Sequence, residues 1–131
     1  MSIRSRITHL KNVSAGETLG YGRTYSTKKA SVIASIPIGY ADGYPRLLSN
    51  TAQVLVNGAL APVVGRVSMD WIIVDVTDIA DIHIGDEIIL IGEDGGNLIK
   101  AEDLAAIAGT ISYEITCGIS RRVPRGFVSS T

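Results

Sequence analysis

The dipeptide Asn57-Gly58 lies between two short apolar runs, and it constrains the fold more than any other feature of the sequence. The runs are Gln-Val-Leu-Val at 53–56 and Ala-Leu-Ala-Pro-Val-Val at 59–64. A two-residue connection of this kind is typical of a β-hairpin with a type I′ turn, which needs positive φ at both central residues, and Asn-Gly meets that need. The sequence therefore predicts two antiparallel strands joined by a tight turn.

Most of the other apolar segments are also short and typical of strands. Residues 3–10 alternate as a strand does, and His9 falls on the expected surface side. Residues 30–38 are too apolar for a strand with one face in water, so we expect burial on both faces, with Pro37 ending the pairing. Further strands are expected at 71–76 and 86–92.

Residues 101–108 form the one segment with a helical pattern. Glu102 and Asp103 suit the positive end of a helix dipole, and Gly109 suits the C-cap. The Gly-rich segment 93–97 has neither the lysine nor the glycine spacing of a phosphate-binding loop, so it is expected to be a turn. Six to eight strands at roughly 10-residue spacing with one short helix predict a mainly β, antiparallel, barrel-like domain.

Composition limits the classes of function. The 131 residues, 46% hydrophobic and 19% charged, suit one domain (1–131) with a packed core. The formal charge of -1 gives no basic surface for nucleic acid, and the apolar runs are far shorter than the ~20 residues that span a membrane. The single cysteine, Cys117, fits a reducing compartment, and the distant His9 and His83 provide no zinc-ligand spacing, so no metal is expected.

Five tyrosines stand against one Phe and one Trp. All five lie in the Gly- or Pro-containing stretches 20–25 and 39–46 or in the segment 112–114. Because Gly and Pro turn the backbone at strand ends, we expect these rings at the rim of the sheet, with hydroxyls that reach a ligand or water. Arginines near such turns provide the planar donor group that suits carboxylate or phosphate.

Four motifs together resemble the C-terminal domain of bacterial alanine racemases. They are Tyr-Gly-Arg-Thr-Tyr at 21–25, Ile-Pro-Ile-Gly-Tyr-Ala-Asp-Gly-Tyr-Pro-Arg at 36–46, Gly-Arg-Val-Ser-Met-Asp at 65–70, and Tyr-Glu-Ile at 113–115 with Arg-Val-Pro-Arg at 122–125. The resemblance runs from about Ser5 to Phe127 and keeps the family's order and spacing. It implies a homodimer that uses pyridoxal phosphate, with an N-terminal (β/α)8 barrel ahead of this domain, and Met1 as an artificial start.

The resemblance also implies roles for individual residues. Tyr21 would be the catalytic acid and base that exchanges a proton at Cα on the L-alanine face. Tyr40 would narrow the pocket mouth, and Met69 would meet the substrate carboxylate through its backbone N–H. Tyr113 would donate a hydrogen bond to the cofactor phosphate. The corridor through which substrate enters would be lined by Arg46, Arg66, Asp70 and Ile111.

The implied function is interconversion of L- and D-alanine in the cytoplasm, supplying D-alanine for peptidoglycan. Tyr21 would face the barrel of the second subunit. The family's cofactor-binding lysine belongs to the barrel and has no match among the lysines here, so the isolated domain is expected to be inactive. A tyrosine has a pKa near 10, and a base at neutral pH needs that pKa lowered by about 2 to 3, which this chain alone does not provide.

One departure from the family and two alternatives remain. Trp71 stands where relatives often carry Gln or Met, which leaves the pocket shape beside Met69 open. A serine or broad-specificity amino-acid racemase can share the same motifs. A non-catalytic interaction module, with the tyrosine-rich rim binding a protein partner, is the alternative of a different class.

Overall fold

The structure is a computed structural model that describes residues 2–16, 18–19, 25–27, 29–111, 114–115 and 118–119. The strands within these ranges are β1 (Ile3–Arg6), β2 (His9–Val13), β3 (Thr18–Leu19), β4 (Tyr25–Ser26), β5 (Ser31–Ile36), β6 (Gln53–Val56), β7 (Ala59–Val64), β8 (Ile72–Asp75), β9 (Glu87–Asp94) and β10 (Asn97–Ile99). One α-helix, α1 (Ala101–Ala108), follows β10, and two 3-10 turns at Tyr40–Asp42 and Arg46–Leu48 connect β5 to β6.

Eight of these strands form one antiparallel sheet. Its order is β1-β9-β6-β7-β8-β5-β2, with β10 paired to β9 outside this path, while β3 and β4 form a separate two-stranded ribbon. Strand β7 pairs with β6 through 59–62 and with β8 through 63–64, so it belongs to both halves of the sheet. The expected mainly β, antiparallel architecture is confirmed.

The N-terminal segment brings the two ends of this sheet together. Its first part, β1, pairs with β9, and its continuation, β2, pairs with β5. Between them, the Ile7 N–H donates to Asp86 O at 2.9 Å and the Thr8 N–H donates to Ser35 O at 3.0 Å. One continuous stretch of chain therefore bridges both edges, and this gives the sheet its barrel-like closure.

Turn chemistry places the strands as the sequence predicts. Asn57 and Gly58 have φ of 50° and 79°, which is the left-handed region that the type I′ turn requires. Helix α1 ends at Gly109, also left-handed with φ of 72°. Strand β5 ends at Ile36, directly before Pro37, and its residues are buried or half-buried along their length.

The core fills the interior of the sheet with branched aliphatic side chains. The largest fully buried ones are Ile7, Ile36, Leu48, Leu55, Ile72, Ile88, Leu90, Val54, Val56, Val63, Val67 and Val74. Leu48 lies in the second 3-10 turn, so the β5–β6 connection is anchored to the core at the end farther from β5. No helix of the described residues has the length and apolar character needed to cross a membrane.

Candidate functional site

The connection between β5 and β6 begins with a tight turn around Tyr40. Gly39 accepts hydrogen bonds at its carbonyl from the Asp42 and Tyr44 N–H groups, at 3.0 and 3.2 Å. The Asp42 carboxylate accepts the Gly39 N–H at 3.0 Å, which closes the turn from its other side. Gly43 ends the turn in the left-handed region with φ of 104°. This local bonding holds the Tyr40 backbone in a defined position.

A second turn, residues 68–71, lies against the first. Ser68 and Trp71 close it, because the Ser68 N–H donates to Trp71 O and the Trp71 N–H donates to Ser68 Oγ, both at 3.0 Å. The two turns are joined by backbone hydrogen bonds from Tyr40 N–H to Ser68 O at 2.9 Å and from Ala41 N–H to Met69 O at 3.0 Å. Two motifs that lie far apart in sequence therefore form one unit.

A cleft of about 280 Å³ opens where the two turns meet. It is lined by Tyr40, Ser68, Met69, Asp70 and Trp71. Tyr40 is 45% exposed and Met69 is 51% exposed, so both side chains are accessible from solvent. Among the described residues the Met69 N–H has no acceptor, which leaves this donor available to a ligand.

Two side-chain contacts define the walls of the cleft. The Arg46 guanidinium carbon lies 5.5 Å from the centre of the Tyr40 ring, within cation–π range. On the opposite turn, the Trp71 ring meets the His9 ring edge-on, with centroids 6.2 Å apart. Trp71 therefore packs against His9 of β2 and also lines the cleft beside Met69.

Of the four expected corridor residues, Asp70 lines the cleft, and Arg46 lies against the Tyr40 ring without lining the cleft itself. Arg66 and Ile111 also lie outside its lining. Arg66 is exposed, one residue before Val67, whose N–H donates to Ser49 Oγ at 2.8 Å beside the Arg46 turn. Ile111 is 63% exposed. Its carbonyl accepts the Glu114 N–H at 3.0 Å, which places it on the segment that carries Tyr113 in the sequence.

The Gly118 backbone packs against the first turn at Gly43. The Gly118 N–H donates to Glu114 O at 2.9 Å, and a Cβ built on Gly43 would lie 2.3 Å from Gly118 O. Only glycine permits this close approach. The first turn therefore contacts the 68–71 turn at Gly39 and the Gly118 backbone at Gly43.

Tyr21 and Tyr113 lie outside the described residues, so their expected roles stay predictions. Tyr21 falls between β3 and β4, whose backbones pair in the separate ribbon. Tyr113 falls between the described residues Ile111 and Glu114. Cys117 and the motif at 122–125 also lie outside the described ranges.

Tyr44 departs from the expectation that the tyrosines lie at a rim with accessible hydroxyls. It is 4% exposed, and its buried hydroxyl has no hydrogen-bond partner among the residues that the structure describes. Burial raises the pKa of Tyr44 well above its usual value. The reason is the turn at 40–43, which leaves Tyr40 exposed and returns the chain so that Tyr44 is buried, where it lines a small cavity together with Ile38, Leu90 and Leu104.

Asp42 is a residue that the sequence analysis did not single out. It is 8% exposed, which is rare for a carboxylate, and it bonds within the turn that carries Tyr40. The spacing Gly-x-x-Asp, with the acid three residues after the turn begins, is the signal that predicts this bond.

The described lysines do not fit a covalent role toward pyridoxal phosphate. Lys11 and Lys100 are exposed on β2 and before α1, Lys29 pairs with Asp78 at 3.4 Å, and none of the three lines the cleft. The described residues alone therefore do not form a site for this cofactor. No group of three or more His, Cys, Asp or Glu in the described ranges could hold a metal ion.

Comparisons with known proteins agree on one family. Residues 1–127 match the family described as alanine racemase, C-terminal domain. A protein named alanine racemase from Halothermothrix orenii is 56% identical over 95% of this chain and 33% of its own length. Another alanine racemase, from Clostridium novyi, is 50% identical over 99% of this chain and 34% of its own length.

Solved structures show the same relationship. An alanine racemase from Bacillus anthracis with bound L-Ala-P superposes with a TM-score of 0.91 at 41% identity, over 98% of this chain and 32% of that one. An alanine racemase from Bartonella henselae with covalently bound pyridoxal phosphate has a TM-score of 0.89 at 36% identity, over 97% of this chain and 34% of that one. The chain spans about one third of the length of these relatives.

Proposed function

Because the chain belongs to the alanine racemase C-terminal domain family, we propose that it is the C-terminal domain of an enzyme that interconverts L- and D-alanine with pyridoxal phosphate. The observation that carries this proposal is the cleft between Tyr40 and Met69. Its two walls are tied by backbone hydrogen bonds of 2.9 and 3.0 Å, and its Met69 N–H is without an acceptor in the described part of the chain.

Substrate binding is assigned to the cleft. The Met69 N–H donates to the substrate carboxylate, as a backbone donor that needs no particular side chain. The Tyr40 ring bounds the space beside it and limits the size of the substrate side chain. Because the cleft holds about 280 Å³ and is open to solvent, this domain forms one wall of the complete site.

Proton transfer is assigned to Tyr21. Its hydroxyl exchanges a proton with the substrate Cα on one face, while a base from outside this chain serves the other face. Pyridoxal phosphate, when bound, supplies the electron sink that makes this Cα proton acidic. Tyr113 donates a hydrogen bond to the phosphate of that cofactor. A low pKa at Tyr21 requires charged groups from the rest of the complete protein.

Access to the site is assigned to the charged residues around the cleft. Arg46 lies over the Tyr40 ring, and Asp70 lines the cleft next to Met69. A positive and a negative side chain near the cleft opening suit a zwitterionic amino acid, which carries both an ammonium and a carboxylate group. Arg66 and Ile111 are assigned to the outer part of the same corridor, and both are exposed.

The remaining parts of the site come from a (β/α)8 barrel. We assign the barrel that faces Tyr21 to a second subunit of a homodimer, and the cofactor-binding lysine to a barrel as well. The single cysteine supports a cytoplasmic protein, and D-alanine from this reaction serves peptidoglycan synthesis. The isolated domain is therefore incomplete as a catalyst.

The assay that tests the proposal is formation of D-alanine from L-alanine by the complete protein, with L-serine in a parallel arm. We expect turnover of L-alanine with a higher kcat/KM than L-serine. A higher kcat/KM for L-serine would identify L-serine, and not L-alanine, as the preferred substrate. Absence of turnover with both, in a folded protein loaded with pyridoxal phosphate, would contradict the proposal and favour an interaction module.

A further inference from the structure

Asp42 is a buried carboxylate that the proposed reaction does not use directly. It is 8% exposed, and its Oδ2 accepts the Gly39 N–H at 3.0 Å. Burying a carboxylate is costly unless hydrogen bonds or charges compensate it, and the Gly39 N–H is one of the groups that do so for Asp42. The contacts of Gly39 show what this hydrogen bond does.

Gly39 is pressed against the turn that carries Met69. A Cβ built on Gly39 would lie 2.2 Å from Ser68 O and 2.5 Å from Met69 O, distances that no side chain tolerates. Its φ of -150° is ordinary extended backbone, so the requirement for glycine here is close contact rather than a special conformation. The position of Gly39 therefore fixes the distance between the two turns.

The Tyr40 and Ala41 N–H groups complete this contact. They donate to Ser68 O and Met69 O at 2.9 and 3.0 Å, so two hydrogen bonds cross from one turn to the other directly beside Gly39. Both donors lie between Gly39 and Asp42, the residues that the carboxylate joins. The bond from Gly39 to Asp42 thus closes the turn that presents these two donors.

We propose that Asp42 is a positioning residue: by holding the Gly39 N–H, it sets the spacing between Tyr40 and Met69 and so determines which amino-acid side chain the cleft accepts. This inference rests on the proposed racemase function for its substrate. Loss of the bond loosens the contact between the turns, and a looser cleft discriminates less well between the methyl group of alanine and the hydroxymethyl group of serine.

The chain contains a matched control for this bond. Asp103 accepts the Lys100 N–H through Oδ2 at 2.7 Å, with the same three-residue spacing, at the start of α1. Asp103 is exposed, and it does not line the cleft. Asp42→Ala and Asp103→Ala therefore remove the same kind of hydrogen bond, once at the cleft and once away from it.

The experiment compares Asp42→Ala, Asp42→Asn and Asp103→Ala in the complete protein. For Asp42→Ala we expect KM for L-alanine to rise about tenfold or more, as loss of a hydrogen bond to a charged group implies, with a smaller change in kcat. The ratio of kcat/KM for alanine over serine should fall. Asp42→Asn keeps an oxygen acceptor, so it should restore both quantities toward wild type, and Asp103→Ala should leave both unchanged.

A measurement without substrate covers the case in which activity is lost altogether. Hydrogen exchange of the peptide 39–44 should be faster in Asp42→Ala than in Asp103→Ala, because the Tyr40 and Ala41 amides lose their fixed acceptors. Unchanged exchange in this peptide, or an alanine-to-serine ratio that Asp42→Ala leaves at the wild-type value, would overturn the positioning role. A wild-type protein without racemase activity, but with the expected exchange difference, would overturn the proposed function and retain the positioning role of Asp42.

Discussion

Among single residues, Tyr40 lines the cleft, whereas Tyr44, four positions later in the sequence, is buried in the core. Both belong to the stretch Gly-Tyr-Ala-Asp-Gly-Tyr, and composition alone treats them alike. The 3-10 turn and the left-handed Gly43 between them leave Tyr40 exposed and bury Tyr44. The sequence predicted the turn residues but not the direction of each ring, because that depends on which core cavity lies beneath the turn.

Tyr44→Phe should stabilise the chain by about 1 kcal/mol at neutral pH, because it removes a buried hydroxyl for which the described part of the chain offers no hydrogen-bond partner. The difference should grow at alkaline pH. Burial raises the pKa of Tyr44 in the folded state, so the unfolded chain releases this proton first, near pH 10, and wild-type stability falls as the pH rises above about that value. Urea unfolding between neutral and alkaline pH measures both effects.

Tyr40→Phe is the control for this prediction, since Tyr40 is 45% exposed. Its free energy of unfolding at neutral pH should not rise as that of Tyr44→Phe does. If Tyr44→Phe had the same pH dependence as wild type above about pH 10, or lowered the free energy of unfolding at neutral pH, the buried hydroxyl would have a favourable interaction in the folded chain.

Tyr113→Phe should weaken the retention of pyridoxal phosphate in the complete protein. One hydrogen bond to a phosphate contributes roughly 1.5 to 3 kcal/mol, which corresponds to a dissociation constant about 10 to 150 times higher. Equilibrium dialysis of the cofactor measures this constant. The same constant in wild type and variant would remove Tyr113 from the cofactor site.

At the scale of elements, the structure confirms the turn chemistry and adds the pairing. The Asn57-Gly58 turn and the helix 101–108 are present as the sequence predicted. The turn predicted at 93–97 is confined to 95–96, because 93–94 belong to β9 and 97 begins β10. Strand order was not predictable, because a period-2 apolar pattern identifies a strand without identifying its partner. The division of β7 between β6 and β8 shows this, since 59–64 reads in sequence as one strand of a simple hairpin.

The two glycine turns at 57–58 and 95–96 pack against each other, which gives a prediction about neighbouring residues. A Cβ on Gly95 would lie 2.7 Å from Gly58 Cα, whereas one on Gly96 would meet nothing within 4 Å. Both glycines have positive φ, at 59° and 85°. Each alanine substitution should therefore cost about 1 kcal/mol for its backbone conformation, and Gly95→Ala should cost about 1–3 kcal/mol more.

Thermal or urea unfolding of the two variants measures this difference directly. Gly96→Ala is the control, because it shares the turn and the sign of φ. Equal free energies of unfolding for the two variants would mean that the turns separate without cost, and the contact between them would then contribute nothing to stability.

At the scale of the whole molecule, closure of the sheet explains how distant motifs meet. The stretch that contains β1 and β2 pairs with strands at both ends of the strand order. The β5–β6 connection is joined to the 68–71 turn by backbone hydrogen bonds. The cleft is open and the described lysines lie away from it, so the domain provides one wall of the proposed site. The motifs at 36–46 and 65–70 contain the residues that line this cleft, and the cofactor-binding groups that we propose, Tyr113 and a lysine of the barrel, are not among the described residues.

The 131-residue chain should form no D-alanine from L-alanine when supplied with pyridoxal phosphate. It should also show no borohydride-reducible cofactor absorbance, because the proposed cofactor-binding lysine comes from a barrel. The test requires that circular dichroism first verify that the isolated chain is folded. Turnover by the chain alone would contradict the division of the site between two domains.

Proton transfer by Tyr21 is tested by the kinetic effect of Tyr21→Phe in the complete protein. We expect kcat for alanine racemisation to fall by about 10²- to 10⁴-fold while KM changes little, because the variant loses a proton-transfer group and keeps the Tyr40–Met69 cleft. Tyr25→Phe, in the same motif, should keep kcat near wild type. A Tyr21→Phe enzyme with wild-type kcat in both directions would contradict the claim that this domain supplies the acid–base residue.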